Sequence, residues 1–315
     1  MGKARAIKAA TAAALGLAVL AGTAAASELP THRQLERATE RFLDAHDPPP
    51  VPRAGSGGVG TGAKRVLPAN RIVGLYGAPQ MGKTALGRIS AEKATAKLER
   101  RAAPYAELGG RPVVGAFDLV AVFATAGGGP DGFFRSRQSE DVIRIYLEQA
   151  RSVGARLILD IQPGRAKIKK EMRALRDFLV EPDVDVAIDA EWNVGRRGVP
   201  GRTEGKLSAR ELNSASKWLS KLVAENALSP KLLLVHQFKK TSVRGKRKVK
   251  KRPGVQTVLS FDGIGSPRAK ENGYASLSAP GLFNGFMVFE RLDRPVMKPD
   301  AVLGLEPSPD IVLYQ

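Results

Sequence analysis

Five apolar runs of this chain end in residues that can move protons or hold polar groups. Residues 156–162 close on Asp160 and Gln162, and residues 186–192 on Asp189 and Glu191. Residues 234–238 close on His236 and Gln237, residues 259–263 on Asp262, and residues 287–290 on Glu290. Side chains on a strand alternate, so Asp160 is expected to share a face with Gln162, and Asp189 with Glu191. A single carboxylate after a hydrophobic run usually caps a helix or marks a turn. Repetition changes the argument. Carboxylates gathered at one end of a sheet repel and raise each other's pKa values. That is the condition for an acid to stand beside a charged base.

Glycoside hydrolysis most commonly needs this arrangement: one carboxylic acid protonates the leaving oxygen, and a second carboxylate attacks or activates water. Glu191 is the expected acid, with Asp189 assisting it and Asp160 supporting Asp189 from the adjacent strand. Tyr76 and Trp192 offer rings for a sugar to stack on, although Trp192 serves equally well as core. Gln162, His236, Gln237, Asp262 and Glu290 complete the expected substrate contacts. No cofactor and no metal are expected. A metal-dependent phosphodiester hydrolase is the competing chemistry, since Asp160, Asp189, Glu191 and Asp262 offer oxygen ligands for Mg²⁺ or Ca²⁺ beside His236. A barrel that binds carbohydrate or cell wall without cleaving it is a further alternative.

Residues 77–84, GAPQMGKT, match the phosphate-loop pattern GxxxxGK[ST] and follow an apolar run. Val184–Glu191 would then be the Mg²⁺-binding strand of a nucleotide-binding protein. Against that reading, Pro79 lacks a backbone N–H that such a nest uses, and the loop holds few glycines. The competing expectation is a tight loop after the first strand, with Lys83 exposed.

Positioning these residues requires strands that end together. Eight runs read as strands: 72–77, 113–123, 157–161, 184–191, 232–238, 255–262, 285–290 and 310–314. Helices are expected at 86–103, 139–152, 166–178 and 208–227, and a short amphipathic one within 31–45. Near-continuous apolar strands separated by crossovers read as a parallel sheet covered on both faces. Eight strands within the roughly 250 residues from Val66 to Gln315 fit a (β/α)8 TIM barrel, whose active sites lie at the C-terminal ends of the strands. Asp118 interrupts the second run, so it either faces a polar barrel interior or marks a bulge.

The segments IVGLYGAPQMG, LILDIQPG, DVDVAIDAEWNV, NSASKWLSKLV, KLLLVHQF and PSPDIVLYQ resemble an uncharacterised family of secreted or lipid-anchored actinobacterial proteins, itself similar to glycoside-hydrolase-type TIM barrels. The resemblance covers residues 66–315 and implies a barrel and an envelope location. Ile188–Glu191 also resembles the D-x-E ending of the fourth strand in chitinase-like barrels, where the glutamate is the acid and the aspartate assists. Only Asp189 and Glu191 match. The upstream acids Glu181, Asp183 and Asp185 stand in a different register.

The chain has 315 residues, no cysteine, three histidines and a formal charge of +19. Disulfides, thiolate nucleophiles and cysteine zinc sites are thereby excluded. Residues 1–26 carry Lys3, Arg5 and Lys8, then an apolar stretch, then Ala24–Ala26, the pattern of a signal peptide. Its removal would take the charge to +16 and place the protein outside the cell or on the outer face of the envelope. Residues 27–65 read as an N-terminal extension with a Pro/Gly-rich linker. No transmembrane segment is expected in the mature chain. Residues 239–252 hold nine cationic side chains in fourteen positions. The expected partner is a glycan or an anionic cell-wall polymer. Nucleic acid is not expected, because no aromatic side chains interleave with the charges. A closed barrel can act alone, so a monomer is expected.

Overall fold

Eight of the apolar, β-branched runs pair in sequence order as parallel strands. They are β1 (Arg71–Gly77), β2 (Val113–Ala124), β3 (Arg156–Ile161), β4 (Val184–Asp189), β5 (Lys231–Gln237), β6 (Val255–Phe261), β7 (Phe283–Val288) and β8 (Ile311–Tyr314). The sheet closes on itself because β1 pairs with β2 and β8 alike: Ile72 lies opposite both Val114 and Ile311. The computed structural model describes residues 29–49 and 66–315. The expected signal peptide and most of the Pro/Gly-rich stretch lie outside the described residues. The architecture is the (β/α)8 barrel that the strand count implies.

Helices α1 (His32–Leu43), α2 (Ala91–Glu107), α3 (Glu140–Ser152), α4 (Ile168–Ala174), α5 (Arg176–Leu179), α6 (Ala209–Glu225), α7 (Pro267–Leu277) and α8 (Pro299–Leu303) complete the fold. Their starts follow capping chemistry. Thr31 and Ser208 form capping boxes with Gln34 and Glu211, and Ser90 accepts the Lys93 N–H at 3.3 Å. The helix expected from Leu86 begins later, at Ala91, because residues 78–90 fold into successive turns. The expected helix at 166–178 is two short ones, α4 and α5.

Asp118 faces the barrel interior in regular register with Ile158, and the run also contains a bulge further along. β2 bulges between Val120 and Val122, and Asp118 is fully buried against His236. Its neighbour Phe117 points outward, edge-on to Tyr146 of α3 with ring centroids 5.5 Å apart.

The connection from β5 to β6 contains no α-helix. The basic residues 239–252 form most of this crossover. They are not a free loop at the barrel mouth. Val243–Arg244 pairs with Leu207–Ser208, and Lys246–Lys248 makes a 3-10 turn. The crossover is then fastened along α6. Asn213 donates to the Lys248 carbonyl at 2.8 Å and accepts the Lys250 N–H at 2.7 Å, and Ser220 donates to the Pro253 carbonyl at 2.7 Å.

Helix α1 lies at the C-terminal mouth of the barrel. It buries Leu35 and Phe42 in the same apolar core as the strands. Gln80 donates to Thr39 at 2.8 Å, and the Ala91 N–H at the start of α2 donates to His46 Nε2 at 3.2 Å.

Candidate functional site

The C-terminal ends of the strands open into a cleft of about 1430 Å³. Tyr76, Gln162, Asp189, Glu191, Trp192, His236 and Asp262 all line it. One wall is α1, through Gln34, Arg37, Ala38 and Arg41, and another is the loop after β1.

A charged centre lies beneath this cleft. His236 Nε2 is 3.2 Å from Asp118 Oδ2, and its ring meets Tyr76 edge-on at 5.5 Å. Gln162 links two strand ends: it donates to the Tyr76 hydroxyl at 3.0 Å and accepts the Ala124 N–H at 3.0 Å. Around it, both oxygens of Asp160 and one each of Asp118, Asp189 and Asp262 have no hydrogen-bond partner among the described residues. His236 Nδ1 and Ser260 Oγ are in the same condition. A buried polar atom without a partner costs about 1–3 kcal/mol, and native cores hold few of them. Their concentration at one end of the barrel marks a place built for something other than stability.

Burial sets the protonation of this group. It works against a charged His236, but the bond to Asp118 and the charges of Asp118, Asp160 and Asp189 outweigh it and push the imidazole up to about 10. Burial likewise raises the Asp189 carboxyl to about 7 and Asp262 to about 6, with His236 pulling both the other way. Asp118 is raised by burial against its bond to His236. Asp160 is held well above the usual carboxylate range by burial, against His236 and with Asp118 and Asp189 adding to the rise. Glu191 is raised well above its ordinary value by burial and then by the nearby charges of Asp189 and Asp262. At neutral pH the site therefore combines an imidazolium, protonated carboxyls and at least one carboxylate.

Two of the expected substrate contacts lie elsewhere. Glu290 turns to the helix layer, with Lys97 at 2.7 Å and Arg101 also paired to it. Met287 and Phe289 line the cleft instead. Gln237 faces outward too, donating to the Leu277 carbonyl at the end of α7 at 3.1 Å. The strand expected to carry both Asp189 and Glu191 stops at Asp189, and Glu191 sits on the 3-10 turn Ala190–Trp192. The two reach one cleft because the chain turns there, without strand alternation. Trp192 is both wall and core: it packs with Leu29 and Ala124. Asp118 is the buried group that a list of strand-end residues omits. Its signal was an acid inside an apolar run.

The GxxxxGK[ST] segment lacks the helix that a phosphate loop leads into, the next helix starting only at Ala91. The turns that follow β1 use some of its backbone groups internally. Met81 N–H donates to Ala78, Thr84 to Met81, Gly87 to Thr84 and Arg88 to Pro79. Its glycines have packing reasons: a Cβ on Gly77 would meet Thr84 Oγ1 at 2.0 Å, and one on Gly82 would meet Arg88 Nε at 2.4 Å.

Among the described residues no group of three or more His, Asp or Glu side chains is arranged to hold a metal ion, and no helix is long and apolar enough to cross a membrane. No protein-family model matches the chain, and no curated protein matches it.

Proposed function

We propose that the cleft binds a glycan strand outside the cell and that Glu191 protonates a glycosidic oxygen within it. The observation that carries this reading is the meeting of Glu191, Asp189 and Asp262 in one cleft with Trp192. Burial and its two acidic neighbours favour the protonated form of Glu191 well above the usual carboxylate range, the direction a general acid requires. Asp262, raised only to about 6, is the carboxylate that stays charged there and fits the second role, facing the anomeric carbon or activating water. Asp189 follows next at about 7 and steers the Glu191 proton, and Asp160 supports Asp189 from β3. The extracellular setting rests on the signal-like residues 1–26.

Glu191→Gln keeps the size of the side chain and removes its proton. It should lower turnover of a cleaved glycan by about 10²–10⁴-fold with affinity and melting temperature nearly unchanged. Reducing-end release and calorimetric binding measure the two separately. A wild type that binds glycans across a broad panel but releases no reducing ends would establish a binding barrel in place of a hydrolase.

A further inference from the structure

The charged residues of the cleft are sorted by depth. The acids lining it are Asp189, Glu191 and Asp262, all at the strand ends that form its floor. The mouth carries arginines: Arg37 and Arg41 from α1, Arg88 from the loop after β1, and Arg291 just beyond β7. All four side chains are exposed, and none makes an ion pair among the described residues. Arg37 and Arg41 stand one helical turn apart, where like charges repel and weaken a helix. Arg88 is the most constrained of the four. Among the described residues it is one of three non-glycine residues with positive φ, at 56°. Such backbone is costly for a residue with a side chain and collects at ligand-binding sites. Its guanidinium also lies over Gly82, where a Cβ would meet Nε at 2.4 Å. Gly82 thus leaves the space that Arg88 occupies.

We propose that this collar selects a glycan whose sugars carry acid groups, with Arg88 as the anchoring contact and Arg37, Arg41 and Arg291 following the strand across the mouth. The proposal rests on the glycan reading of the cleft and names the class of substrate. A neutral polymer gives the four arginines nothing to neutralise. A carboxylate takes paired N–H donors from a guanidinium. The floor, with its protonated carboxyls, then meets the glycosidic oxygen and not the acid groups.

The test is calorimetric titration of the whole mature protein at low ionic strength with a galacturonate hexamer, its methyl ester and inorganic phosphate. The acid form should bind at least about tenfold more tightly than the ester, as one charged hydrogen bond implies. Arg88→Gly should erase that preference and leave ester affinity intact. This variant is favoured because glycine accepts φ of 56° without strain, so lost binding cannot be put down to lost folding. In the otherwise unchanged protein, Arg37→Gln with Arg41→Gln should reduce the preference by a smaller factor. Equal binding of acid and ester would overturn the proposal while leaving the glycan reading standing. Binding of neither hexamer would sink the glycan reading and this proposal with it. Phosphate binding as tight as the hexamer would reduce the collar to a simple anion site and overturn the proposal.

Discussion

Three buried aspartates and the half-buried Asp262 surround one histidine, and that imbalance has a consequence for stability. Asp189 and Asp262 hold their protons up to about 7 and about 6 in the folded protein, against an ordinary value of 3.8. His236 holds its proton up to about 10, against 6.5. In each case the folded state binds more protons than the unfolded chain between the two values. Stability must therefore fall as pH rises through those windows. For the aspartates it is fully present below about pH 4 and lost by about pH 7; for His236 it is fully present below 6.5 and lost through 10. Asp183, lowered by its bonds to Arg151 in spite of burial, acts in the opposite sense and weakens the fold only in strong acid. The melting temperature should thus be higher at pH 5 than at pH 9, by about 2–4 °C for each kcal/mol lost. A thermal series across that range checks it. A melting temperature that climbs from pH 5 to pH 9 would contradict the assignment of His236 as the cation that balances the acids.

At the scale of elements, the strands were legible because buried parallel strands read as apolar runs, and all eight fall within two residues of their expected starts. The same property hid which way each side chain points. A strand buried on both faces shows no polar alternation, so the parity that turns Gln237 and Glu290 outward could not be read from the runs. Local turns were hidden for another reason. The 3-10 turn at Ala190–Trp192 continues an apolar-acidic pattern without a glycine or proline to announce it. The loop after β1 is the opposite case, since its glycines imitate a phosphate site while Pro79 and the few glycines argue against one. Gly77 has φ of 132° and faces Thr84, whose hydroxyl donates to the Met81 carbonyl at 2.8 Å. Gly77→Ala must strain the backbone and displace Thr84. It should destabilise the protein by more than about 2 kcal/mol in denaturant unfolding. A loss under about 0.5 kcal/mol would mean that the glycine has no packing role, and would reopen the phosphate-loop reading.

Among the described residues, six acids and four lysines or arginines are buried, so the cationic excess of a chain of formal charge +19 stays at its surface. The densest part of that surface is the β5–β6 crossover, on the flank of the barrel beside α6 and not in the cleft. Its cations are not equivalent. Lys246 is partly buried, donates to the Leu277 carbonyl at 3.1 Å and is pulled down to about 8 by burial, so it belongs to the packing. Lys239 pairs with Glu204. Arg247, Lys248, Lys250 and Lys251 are exposed, and the crossover is fastened by backbone groups of Lys248, Lys250 and Pro253. Replacing those four side chains with serine should therefore leave the crossover in place, with stability changed by less than about 0.5 kcal/mol. Their close spacing makes them repel in the free protein, and an anionic polymer relieves that repulsion. The mature protein should bind anionic cell-wall material at low salt and leave it near about 0.5 M salt, where screening acts within about 4 Å. The fourfold serine variant should lose most of this binding while its cleft still takes a neutral oligosaccharide as the parent does. Sedimentation with purified walls, repeated along a salt series, separates the two surfaces. Undiminished wall binding by the variant would move the attraction away from the crossover and leave its four cations as solvated surface.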